Sequence, residues 1–360
     1  MNTDTGRSAH GELATSAALP FVTIVMPVRN EEHSIARSLG AVLRQDYPPA
    51  RFEVMVVDGM STDGTRAVVS DLAASARSAG PAPEVHIVDN VKQIVPTGLN
   101  AAIARSTADI IVRVDGHCEI ASTYVRSCVR LLQETGADNV GGVAIAEGTG
   151  LVGRAAAAAS SSRFGAGNAA WRYASEARWT HTVPFGCWYR ETIERLGGFD
   201  EELIRNQDDE FNLRLCQSGG RIWLDPAIRT AYECRSTIRG LWRQYFGYGL
   251  YKVRVMQKRG VSSVTHLVPA AFVVASTASV LVGVASRRRG ISFVVIGPYM
   301  CAVTAATLSV ARKDPVAAIA LPVVYPVLHG AYGLGSLVGL WRWRHFFREA
   351  ASERARHTLP

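Results

Sequence analysis

Cysteine is sparse and unpatterned in this chain. Its six residues (Cys118, Cys128, Cys187, Cys216, Cys234 and Cys301) form no C-x-x-C pair and keep no regular spacing. That excludes a zinc module and a disulfide framework, and fits a reducing compartment. The first 19 residues lack the basic start and apolar core of a secretory signal; they are small, polar and partly acidic, so residues 1–19 read as a disordered leader. Negative charge is in deficit. A net charge of +8 and a pI near 9.4 call for an anionic partner, whether nucleic acid, an anionic lipid surface or a small phosphorylated molecule. With 360 residues, there is room for one full-sized domain and something smaller.

What is present begins as alternating strands and helices. Phe21 to Pro27 reads as a buried strand followed by a polar turn through Glu32, and Ser34 to Gln45 carries Ile35, Leu39, Val42 and Leu43 at helical spacing. Phe52 to Val57 is a second strand running into Asp58, Val85 to Val88 a third, and Asp109 to Val114 a fourth running into Asp115-Gly-His117. This alternation predicts an α/β domain over 20–234, with a mostly parallel sheet and helices on both faces. Ligands of such sheets gather beyond the carboxyl ends of the strands, where Asp58 and Asp115 both fall. If the fourth strand stays extended, Asp115 and His117 point the same way and share one cation; a polar turn is the plainer reading of an isolated D-x-H. Farther on, Asn206-Gln-Asp-Asp-Glu opens a helix, where acids in the first turn suit the helix dipole.

After Ala231 the composition changes. Across 235–262, Arg235, Arg239, Arg243, Lys252, Arg254, Lys258 and Arg259 interleave with Trp242, Tyr245, Phe246, Tyr248 and Tyr251, a mixture suited to a membrane surface or to RNA. The next segments decide between them. Val264–Ala285, Ile291–Ala311 and Val316–Leu340 contain no Asp, Glu, Lys or Arg, and each is about the ~20 residues that a spanning helix needs. We therefore expect about three membrane segments over 263–341, a basic tail at 342–360, a cell-membrane location and no nucleic-acid partner. The 235–259 cluster is expected to put the soluble domain on the cytoplasmic side. Three full crossings would then export the basic tail, so the Pro- and Gly-rich third segment is expected to be re-entrant or interfacial.

Six stretches in this order carry a resemblance: Val22-Thr-Ile-Val-Met-Pro-Val-Arg-Asn-Glu31, Val56-Val-Asp-Gly-Met-Ser-Thr-Asp-Gly-Thr65, Ile94-Val-Pro-Thr-Gly-Leu-Asn100, Val112-Arg-Val-Asp-Gly-His117, Gly197-Gly-Phe-Asp-Glu201 and Asn206-Gln-Asp-Asp-Glu-Phe-Asn-Leu-Arg214. From about Val22 to Tyr251 the chain resembles inverting family-2 glycosyltransferases of the GT-A fold, and more narrowly their membrane-attached exopolysaccharide subgroup. The resemblance implies a nucleotide-diphosphate sugar donor, such as a UDP-sugar, and a lipid-linked saccharide acceptor. It implies that Pro27, Arg29 and Glu31 form the first donor loop, that Asp58 helps bind the nucleoside, and that Asp115 lies by the ribose and diphosphate. Asp115 and His117 would hold Mn²⁺ or Mg²⁺, with imidazole better suited to Mn²⁺. Asp208 falls on the family's general base, with Asp209 as the alternative one residue on. Gly186 and Cys187 match an acceptor-side loop, while Arg214 and Arg235 steady either phosphates or the fold. Gly59, His117 and Gln207 depart from the common pattern. Trp242-Arg-Gln-Tyr-Phe does not match the Q-x-x-R-W of processive relatives, so one sugar is expected per encounter. A polyprenyl-phosphate sugar synthase of the same fold and a non-catalytic membrane scaffold are the competing readings.

Overall fold

A computed structural model describes residues 19–261, 263–288 and 290–344; most of the leader and the tail from residue 345 lie outside them. The first half alternates as β1 (Val22–Val28), α1 (Ile35–Leu43), β2 (Phe52–Asp58), α2 (Thr65–Ala79), β3 (Glu84–Asp89), α3 (Val95–Arg105) and β4 (Ile110–Arg113). Next come β5 (Cys118–Ile120), α4 (Tyr124–Thr135), β6 (Asn139–Glu147), α5 (Gly150–Ser160), α6 (Arg163–Ala166), β7 (Arg178–Thr180), β8 (Cys187–Tyr189), α7 (Arg190–Arg195), α8 (Gln207–Gln217) and β9 (Ile222–Glu233). The chain closes with α9 (Ile238–Arg259), α10 (Val268–Ala285), α11 (Gly290–Ala311) and α12 (Pro315–Arg342).

The strands form one sheet in the order β3-β2-β1-β4-β8-β6-β9-β5, with β7 also on β9. β3, β2, β1 and β4 run parallel. The apolar run of β1 is buried on both faces, as a parallel strand covered by helices must be. One face packs α1 and α4 through Ile35, Leu39, Val125 and Leu132. The other packs α3 with Trp188, Phe199 and Phe211.

The expectation of a mostly parallel sheet holds for this half and for β6 and β9, which also pair in parallel. β8 is antiparallel to β4 and β6, and β5 and β7 are antiparallel to β9, so the whole sheet is mixed. The reason is local: β5, β7 and β8 are three residues long, too short to show a period of two in the sequence.

Three helices are long and apolar enough to cross a membrane: Val264–Ala285, Gly290–Ala311 and Pro315–Arg342. The third is one unbroken helix through Pro322 and Pro326, which is not the interrupted geometry of a re-entrant loop. Its glycines serve packing instead. A Cβ on Gly335 would stand 2.1 Å from the Phe246 carbonyl oxygen, and one on Gly249 would stand 2.0 Å from that of Tyr332. Small residues thus let α9 and α12 touch backbone to backbone. Ala155, Leu241, Val303, Leu321 and Tyr325 join α5, α9, α11 and α12 in a shared core. The apolar helices therefore pack against the catalytic domain through that core.

Candidate active site

The carboxyl ends of β1, β2 and β4 open onto one edge. Four non-glycine residues in its loops, Asn30, Met60, Phe185 and Asn206, have φ between 54° and 61°. Left-handed backbone of this kind persists only where its surroundings enforce it, and it clusters at functional sites. Asn30 links two of these loops: its N–H donates to Ser61 Oγ at 2.9 Å and its Oδ1 accepts from Thr62 N at 2.9 Å.

Asp58 ends β2 and is 1% exposed. Its carboxylate accepts from Ser61 N and Oγ and from Arg66 Nη1, and the same Arg66 nitrogen also donates to Asp89. Asp58 thus orders the turn at the rim instead of facing the cleft. Pro27 lies beyond the last β1–β4 partner, Val25 opposite Arg113, where a missing N–H costs no ladder bond. Arg29 is exposed at the mouth. A Cβ on Gly59 would stand 3.3 Å from Arg29 and 3.4 Å from the Val28 carbonyl, so a larger side chain has little space here.

Asp115 and His117 do not lie on one extended segment. β4 stops at Arg113, and Cys118 N donates to Asp115 O at 3.0 Å, closing a turn over Gly116. The turn is forced by packing, because a Cβ at Gly116 would stand 2.7 Å from Val28 Cγ1. The two side chains therefore have separate partners. Arg113 grips Asp115 with Nε at 2.8 Å and Nη2 at 3.1 Å. His117 Nδ1 lies 3.0 Å from Glu31 Oε1, and Ser34 Oγ donates to Glu31 Oε2 at 2.6 Å. Burial alone would lower the His117 pKa, but Glu31 and Asp115 outweigh it and hold the value above normal. Burial likewise works against ionised Glu31, and His117, Ser34 and Arg235 overcome it to lower its pKa.

The chemistry of His117 is compatible with a cation. A carboxylate that orients one imidazole nitrogen is the usual support of a metal-bound histidine, and among the described residues Nε2 has no hydrogen-bond partner. Among those residues no three His, Cys, Asp or Glu side chains converge. Asp115 and His117 can therefore supply two ligands at most, and substrate oxygens would complete the shell. One carboxylate with one imidazole suits Mn²⁺ better than Mg²⁺.

Asp208 stands in the first turn of α8, behind the left-handed Asn206. Its Oδ1 accepts from Asp209 N at 2.9 Å, and it makes no ion pair among the described residues. Burial raises its pKa; Arg113 opposes this, while Asp209 and Asp115 add to it. Asp209 is different, because Lys252 Nζ reaches its Oδ2 at 2.7 Å. Arg113 was invisible as a site residue in the sequence, yet it holds Asp115 and lies within electrostatic reach of Asp208. Its backbone N–H donates to Gly186 O at 3.1 Å, joining the fourth strand to the acceptor-side loop. Gly186 has φ +78°, and a Cβ there would stand 2.2 Å from the Trp188 ring. Cys187 is fully buried, so only its backbone is available to that loop. Arg214 binds Glu210 at 2.9 Å and the Gly198 carbonyl at 2.8 Å, which settles it as a residue of the fold. Arg235 is exposed beside Glu31 and His117.

Residues 23–190 match the family model "Glycosyl transferase family 2". The chain is 31% identical over 266 residues to the succinoglycan biosynthesis protein ExoA of Rhizobium meliloti (strain 1021), covering 72% of this chain and 76% of that one. It is 25% identical over 336 residues to a dolichyl N-acetyl-alpha-D-glucosaminyl phosphate 3-beta-D-2,3-diacetamido-2,3-dideoxy-beta-D-glucuronosyltransferase of Methanococcus voltae, covering 91% and 99%. Among solved structures it is similar in fold to the mannosyltransferase PcManGT from Pyrobaculum calidifontis in complex with GDP-Man and Mn²⁺. That match has a TM-score of 0.62 at 21% identity and covers 91% of this chain and 88% of the other.

Proposed function

The chain belongs to glycosyl transferase family 2, and from that premise we propose an inverting transfer of a hexose from a nucleotide-diphosphate sugar to a hydroxyl of a lipid-linked saccharide. The observation that carries this reading is the pair Asp208 and Asp209. One acid makes no ion pair among the described residues and has a raised pKa, while its neighbour is tied to Lys252.

In this reading Asp208 takes the proton of the acceptor hydroxyl as its oxygen attacks the anomeric carbon. The new carbon–oxygen bond forms on the face opposite the departing one, and the nucleoside diphosphate leaves with the electrons of the broken bond. A carboxylate whose pKa is raised by burial is a better base than an ordinary one. Arg113 fixes Asp115 beside the donor diphosphate, and Glu31 fixes the His117 ring. A divalent cation held by Asp115 and His117 would neutralise charge developing on the leaving diphosphate. Pro27, Arg29 and Glu31 line the donor loop, and the Ser61 turn ordered by Asp58 borders the nucleoside. The name of the Methanococcus voltae relative supports a lipid-linked acceptor, and three helices long and apolar enough to cross a membrane support a membrane-attached enzyme; in this reading the basic α9 faces the cytoplasmic headgroups.

Purified full-length protein with Mn²⁺ and a panel of UDP- and GDP-sugars tests the proposal by release of nucleoside diphosphate. At least one donor turns over if it is right; silence with every donor overturns it. Near-normal activity of Asp208→Asn with polyprenyl phosphate, an acceptor already ionised, would instead favour a polyprenyl-phosphate sugar synthase.

A further inference from the structure

Most buried or half-buried cations near the site have a carboxylate: Arg113 has Asp115, Arg214 has Glu210, Lys252 has Asp209 and Lys258 has Asp200. Arg172 has none among the described residues. It is half-buried, follows α6 by six residues, and donates from Nη1 to Tyr232 Oη at 2.5 Å. Its Cζ lies 4.3 Å from the Trp171 ring centroid and 5.8 Å from that of Tyr232. Tyr245 and Tyr248 lie within electrostatic reach of it. A guanidinium has five N–H donors in a fork shaped for a phosphate. Here one serves a neutral phenol, and no acceptor among the described residues takes the rest. Withdrawing such a charge from water without a counter-charge is costly, and an uncharged side chain would fill an aromatic cage as well.

The cage stands between the two halves of the site and the membrane helices. Tyr232 pairs with Cys118, the residue after His117. The Tyr248 carbonyl accepts from Asn206 Nδ2 at 3.0 Å, two residues before Asp208. Asn168, four residues before Arg172, donates to Thr265 Oγ1 at 3.3 Å, at the head of the first apolar segment. We propose that Arg172, held between the Trp171 and Tyr232 rings, binds the phosphate or diphosphate ester of the lipid-linked acceptor and so sets the acceptor hydroxyl against Asp208. The inference rests on the transferase reading above and adds the group that would hold the acceptor.

Calorimetry on the full chain in detergent tests it, with farnesyl diphosphate as the lipid probe and UDP or GDP with Mn²⁺ as the donor probe. Arg172→Gln should weaken farnesyl diphosphate binding about tenfold or more, since a charge-assisted fork is lost. Arg172→Lys, which keeps the charge but not the fork, should fall between. Tyr232→Phe only releases the guanidinium and should cost a smaller factor, so it carries the test if Arg172→Gln does not fold. Nucleotide binding should stay within about twofold of wild type in every variant. Unchanged farnesyl diphosphate binding in the variants would overturn the proposal. So would a loss confined to UDP and GDP, which would assign Arg172 to the donor. Wild type that binds farnesyl diphosphate through Arg172 but neither nucleotide would sustain the phosphate site and overturn the transferase reading.

Discussion

Lys252 reaches Asp209 and leaves Asp208 alone, and much of the chemistry argued above depends on that asymmetry. Lys252 is 8% exposed and Asp209 32%, so the pair is partly screened. Asp209→Asn should therefore lower stability by roughly 1–2 kcal/mol, read as a fall in Tm, while turnover stays within a few-fold of wild type. Asp208 should behave in the opposite sense. Its folded pKa lies above the usual carboxylate value because of burial, so the folded state binds the proton more tightly than the unfolded chain does. Ionised Asp208 thus costs stability at neutral pH, and that cost disappears as the pH falls below the unfolded carboxylate range. Asp208→Asn should melt above wild type at pH 7, and wild-type kcat should fall on the acid side as the base is protonated. His117→Asp replaces imidazole by oxygen, and the preference among cations should move from Mn²⁺ toward Mg²⁺ in a metal-dependence assay. A preference unchanged by that substitution would remove His117 from the metal site.

At the scale of elements, the parallel half of the sheet was legible because each of its strands is an apolar run closed by polar residues. Asp58 and Asp115 could be placed at its edge for the same reason. The alternation rule was applied to the wrong pair. It fails for Asp115 and His117, which flank a turn, and it holds for Arg113 and Asp115, which meet in an ion pair at 2.8 Å. An arginine inside an apolar run reads as an interruption until its partner two residues on is seen. The antiparallel pairings were hidden because the three-residue strands that make them have no period. The glycines of the last helix were misjudged too: they signal close contact with α9, as Gly335 shows. Gly335→Leu would drive a side chain into the Phe246 carbonyl and should cost about 1–3 kcal/mol or more, seen as a lowered Tm in detergent.

At the scale of the whole molecule, the apolar helices and the catalytic domain share side chains in one core, a fact no run of hydropathy displays. The three segments themselves were found almost to the residue, since an uninterrupted apolar stretch of spanning length has few other uses. Their arrangement against α5 and α9 was not legible, because it is made by small residues whose partners lie far away in sequence. Hydrogen bonds tie these parts together: Asn206, at the head of α8, donates to the Tyr248 carbonyl, and Asn168 donates to Thr265 at the start of the first apolar segment.

The most direct test is a comparison of wild type and Asp208→Asn as full chains in lipid nanodiscs, with the turning-over donor, Mn²⁺ and a lipid-linked saccharide. The account predicts a fall in kcat of about 10²–10⁴-fold with nucleotide affinity unchanged. A variant that transfers sugar to the hydroxyl within about threefold of wild type would contradict it.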